Sequence, residues 1–92
     1  MGQVNATLLS AVVATGAGAT FRRQSASMVA QYIVADTATV AVEGSNDNTN
    51  WVSLDSVSAS GKYSNSEPWK YIRANVTAWT SGAVTVIISE AV

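Results

Sequence analysis

The chain has 92 residues, a net charge of −1, and neither cysteine nor histidine. Those facts exclude a disulfide scaffold, a Cys/His zinc site, and thiol or imidazole catalysis. Only 12% of residues are charged, against about 25% in an ordinary soluble domain, and five Lys/Arg give little material for the basic patch that nucleic acid requires.

In chain order, residues 3–9 read as a first strand or an extended arm, and residues 12–18 as a soft, glycine-bearing stretch. Thr20-Phe-Arg-Arg23 reads as a short strand or a clamp of two adjacent cations. Residues 26–35 alternate as a strand, with Met28, Ala30, Tyr32 and Val34 on one face and Val29, Gln31 and Ile33 on the other. Both faces are fairly apolar, which suits a central or interface strand. Asp36-Thr37 is a turn. Residues 39–43 and 51–54 then form a hairpin around the turn-rich segment 44–50. Residues 55–67 read as a long Ser/Gly/Asn-rich loop with a short strand near 61–64, ended by Pro68. Residues 69–77 are the clearest strand, with Trp69, Tyr71, Arg73, Asn75 and Thr77 on one face and Lys70, Ile72, Ala74 and Val76 on the other. A turn at Thr80-Ser81-Gly82 leads to the last strand, 83–90, with Val84, Val86 and Ile88 on one face.

Ala, Val, Ser and Thr fill 49 of the 92 positions and leucine occurs three times, a composition that favours strands over helices. Short strands with turn signals about every 10 residues predict an all-β fold, a small β-sandwich or jelly roll. The organisation expected is an N-terminal arm and first strand over 1–25, flexible, and a sandwich over 26–92. A domain this small, without disulfide or metal, gains stability most readily by oligomerising or docking on a partner.

The longest apolar-leaning stretch, 6–19, is interrupted by Thr7, Ser10, Thr15, Gly16 and Gly18 and is too short to span a bilayer. It has no Lys or Arg ahead of it, so it does not match a secretion signal. Ala6 stands where a myristoylation motif needs Ser or Thr.

No enzyme is expected. Serines are plentiful, but no Gly-x-Ser-x-Gly elbow exists, and Lys62 and Lys70 read as solvated. Glu43, Asp47, Asp55 and Glu67 lie in or beside turns, where surface roles outweigh a glycosidase pair. Asn46, Asp47, Asn48 and Asn50 are oxygen-rich, yet the EF-hand spacing fails at Trp51 and Val57. No cofactor and no metal are therefore expected. Trp51, Trp69 and Trp79, with Tyr32, Tyr63 and Tyr71, supply rings for the core, for a subunit interface, or for stacking on a sugar.

The stretch Val40-Ala-Val-Glu-Gly-Ser-Asn-Asp-Asn-Thr-Asn-Trp-Val-Ser-Leu54 resembles a hairpin of small tailed-phage structural proteins and discoidin-like sandwiches. Trp69-Lys-Tyr-Ile-Arg-Ala-Asn-Val-Thr77 and Ser81-Gly-Ala-Val-Thr-Val-Ile-Ile88 resemble the ending that follows it there. The likeness covers 37–90 and departs at Asn48, where glycine is usual, which should alter the turn. It implies a capsid decoration (cement) protein, a homotrimer made in the host cytoplasm and seated on the outer surface of the virion. The implied partner is the major capsid protein, with no nucleic acid and no membrane. Arg22, Arg23, Leu8 and Leu9 would touch the shell, and Met28, Tyr32 and Val34 would form the oligomer interface. Two alternatives stand beside it. One is another tail, connector or head-fibre component. The other is a discoidin-like carbohydrate-binding module using Trp51, Trp79, Tyr63 or Arg73.

Overall fold

A computed structural model describes residues 3–25 and 27–91, and every described strand pairs antiparallel. The strands are β1 (Gln3–Val12), β2 (Gly16–Ala17), β3 (Phe21–Arg22), β4 (Met28–Val34), β5 (Thr37–Ser45), β6 (Val52–Val57), β7 (Gly61–Asn65), β8 (Tyr71–Ser81) and β9 (Val84–Ala91). Four of them form one sheet in the order β1-β9-β4-β7. The second sheet runs β2-β8-β5-β6, with β3 also on β8. The chain is thus an all-β, two-sheet sandwich, as its composition predicts.

Alternation decides which side chains lie between the sheets. Ala30 and Tyr32 of β4 and Val84, Val86 and Ile88 of β9 line one inner face. Val40 and Val42 of β5 and Ile72, Ala74 and Val76 of β8 line the other. Valines and alanines suit this core because β-branched and small side chains pack well on a pleated surface. Tyr32 lies within this core, whereas Phe21, Tyr63 and Trp69 sit at its margins, partly buried against it. Gly44 makes room for one of them, since a Cβ there would lie 2.8 Å from Cδ2 of Trp69.

The N-terminal stretch, expected as a flexible arm, is built into the sandwich over its described residues. β1 pairs with β9 from Gln3 opposite Ala91 to Val12 opposite Val84. A register shift between Thr7 and Leu9 breaks the alternation, so Leu8 and Leu9 are both buried, each 3% exposed. β2 and β3 then cross to the other sheet and cover the β8 edge. The hairpin is longer than expected, because β5 starts at Thr37 and β6 runs to Val57. This places Asp55 in a strand rather than a loop, where it accepts a hydrogen bond from the Tyr32 hydroxyl at 3.0 Å. Burial, reinforced by that carboxylate, pushes the Tyr32 phenol far above its ordinary range.

Candidate functional site

The residues expected to touch partners are mostly spoken for within the chain. Leu8 and Leu9 belong to the core, so neither offers itself to a shell. Arg23 is drawn inward by Glu90: its Nε donates to Glu90 Oε2 at 2.8 Å, with side chains 2% and 0% exposed. Its Nη1 donates to the Glu67 carbonyl, and the Gln24 amide donates to Glu90 Oε1. Arg22 alternates outward and is exposed. The proposed interface residues Met28 and Tyr32 are buried and Val34 is half-buried, all on the inner face of β4. They hold the two sheets together. The outward face of the same strand carries Val29, Gln31 and Ile33 instead, with Val29 40% and Ile33 42% exposed. Because both faces of β4 are apolar, alternation separated the two sets without saying which was inside.

That outer face continues across the sheet. The register lines up Asn5, Ser89, Val29 and Ser64 in one row and Thr7, Ile87, Gln31 and Lys62 in the next. Ser89 donates to Asn5 Oδ1 at 2.6 Å within the first row. Thr85 and Ile33 follow as neighbours. Lys62 is the single charge among these residues, and Val29, Ile87 and Ile33 run through the middle as an apolar band.

The opposite outer face has a different character. Arg73 of β8 donates to Glu43 of β5 at 2.7 Å, and Asn75 also donates to Glu43. The Arg73 guanidinium lies 4.2 Å from the centre of the Trp51 ring. Arg73 and Trp51 therefore satisfy one another by cation–π contact rather than standing free.

The 44–50 turn is organised by one carboxylate. Asp47 Oδ1 accepts from the amides of Asn50 and Thr49 at 2.8 and 2.9 Å and from the Ser45 hydroxyl at 2.9 Å. Its Oδ2 accepts from the Asn50 side-chain amide. The oxygen-rich loop thus directs its acid inward onto its own backbone. Asn48 takes φ 61°, a left-handed conformation that glycine adopts freely and asparagine tolerates. The hydrogen bonds from Asn50, Thr49 and Ser45 hold the Asp47 carboxyl well below the usual carboxylate range.

A pH dependence follows. A carboxylate depressed in the folded state stabilises fully above its unfolded value and loses that contribution as pH falls through its folded value. Carboxyl-carbon NMR is expected to find Asp47 still ionised at pH 3.8, where an ordinary aspartate is half protonated. A titration midpoint at 3.8 would show that the loop does not hold its acid in this way.

The other acids are also engaged. Glu67 Oε1 accepts from the Trp69 indole at 2.9 Å, and Asp36 accepts from Ser81 and Thr37. Trp79 is the most exposed of the tryptophans, at 37%.

A small two-sheet antiparallel sandwich with one nearly uncharged outer face is the class these features define. The same architecture occurs in the crystal structure of the SPBc2 prophage-derived protein YomS. The likeness covers 96% of this chain and 91% of that one, with a TM-score of 0.81 and 13% sequence identity. At that identity it establishes the fold. No protein-family model and no curated protein sequence match the chain.

Proposed function

We propose that this chain is a non-enzymatic structural component of a phage virion: a capsid decoration protein that forms a homotrimer and binds the major capsid protein. The outer face of the β1-β9-β4-β7 sheet carries this reading. Exposed Val29 and Ile33 on one strand of a charge-poor sheet favour burial against a protein. The shared fold with a prophage-derived protein supports a phage setting. Arg22, exposed beside the β8 edge, would add an electrostatic contact with an acidic shell surface.

Light scattering on a size-exclusion column is expected to give three times the 9.5 kDa chain mass. The double variant Val29→Asp, Ile33→Asp is expected to give a single-chain mass with unchanged far-ultraviolet circular dichroism. Both positions face solvent in the single chain, so the substitutions spare the core. A variant that still trimerises would remove this face from the interface.

A further inference from the structure

The corner where β4 passes to β5 and β8 turns to β9 holds a feature that the interface reading does not use. Asp36, Thr37, Thr39, Ser58, Trp79 and Thr80 line a half-open groove of about 280 Å³. That volume is just below the roughly 300–1,000 Å³ of small-molecule sites, room for one ring rather than a long ligand. The groove mixes one exposed aromatic, several hydroxyls and one carboxylate, and no cation lines it.

Its parts are fixed before any ligand arrives. The Trp79 indole donates to the Gly82 carbonyl at 2.8 Å, which sets the plane of the ring. Gly82 takes φ 87° and packs so closely on Asp36 that a Cβ would lie 2.6 Å from the Asp36 Cβ. The Ser81 hydroxyl donates to Asp36 Oδ2 at 2.8 Å, and the Ala35 amide to the Ala83 carbonyl at 3.0 Å. A carboxylate has about four lone-pair sites, and the chain's side chains use only two here. Acceptor capacity therefore remains for hydroxyl donors.

An exposed ring held rigid beside a carboxylate and hydroxyls matches a sugar, which has an apolar face of C–H groups and a rim of O–H groups. We propose that this corner binds a neutral pyranose ring of a glycan, stacked on Trp79 and hydrogen-bonded through Asp36. The Asp36 charge, with no cation in the groove to offset it, turns away acidic sugars. A single shallow site binds weakly, and many copies displayed together would raise the effective affinity by avidity. The corner is distinct from the Val29–Ile33 face, so its test does not depend on trimerisation.

The test is proton–nitrogen NMR of the labelled chain with chitotetraose and maltotetraose, the Trp79 indole signal being assigned through Trp79→Phe. At least one of these neutral oligosaccharides is expected to shift the Trp79 indole saturably, while tetragalacturonate does not. Trp79→Ala is expected to weaken binding by about tenfold or more, with the rest of the spectrum unchanged. Asp36→Asn should weaken it less. No shift with either neutral oligosaccharide, equal binding of tetragalacturonate, or undiminished binding by Trp79→Ala would each overturn the assignment.

Discussion

Glu90→Ala is expected to destabilise the fold by about 3–5 kcal/mol, the usual cost of removing one partner of a buried ion pair. The substitution leaves the Arg23 guanidinium buried without its counter-ion. Arg23 already has a buried Nη2 without a hydrogen-bond partner among the described residues. Losing the Glu90 contact strands the Nε as well. The Gln24 amide loses its acceptor at the same time. A 92-residue domain has about 5–14 kcal/mol in total, so the variant should lose about a fifth or more of its stability. Urea unfolding followed by circular dichroism measures the loss. The double variant Arg23→Met, Glu90→Leu should recover most of it, because the apolar pair needs no charge compensation. A loss below about 1 kcal/mol for Glu90→Ala would mean that solvent reaches the pair.

Gly18→Ala is expected to cost about 3 kcal/mol, the upper end of ordinary overpacking. Gly18 donates its amide to the Ala74 carbonyl at 2.8 Å while lying against β1. A Cβ there would fall on the Leu8 carbonyl oxygen and 2.6 Å from Leu9 Cδ2. A backbone carbonyl within a paired strand has no rotamer by which to move aside. Relief therefore requires β2 to leave the β8 edge or β1 to shift on β9. Hydrogen exchange should show the amides of Gly18 and its neighbours losing protection along with the fall in stability. Exposed Gly61, which has open space around it, is the control: Gly61→Ala should change stability by only a few tenths of a kcal/mol.

Glu90 and Arg23 also show where the local pattern of the chain stops being informative. Glu90 ends a run of alternating valines and isoleucines, so its face was legible. Its partner, 67 positions away, was not. Arg23 looked like half of an exposed clamp because nothing local distinguishes it from Arg22. Only pairing with β8 sends one outward and the other inward. Alternation in β4, β8 and β9 placed Ala30, Tyr32, Ile72, Val76 and Val86 on the correct common faces. It failed at Leu8 and Leu9, where a register shift buries two consecutive residues. It also stopped the hairpin short, because Asp55 and Ser56 read as loop residues when they pair with Val42 and Ala41.

The candidate sites were less legible than the fold. The outer sheet face depends on which side of β4 meets the second sheet, a long-range fact. The Trp79 corner joins the ends of β5 and β8 with Asp36 and Ser58 from two separate connections, and its rigidity comes from the Gly82 backbone. Trp51 and Trp79 look equivalent as letters. Arg73 covers one ring, and the other remains open beside Asp36.

The most direct test of the structural reading is co-sedimentation with undecorated, expanded shells assembled from the major capsid protein of the genome that encodes this chain. Saturable pelleting at a fixed ratio of chain to shell subunit is the predicted result. A chain that stays in the supernatant at every shell concentration would contradict the proposed decoration role.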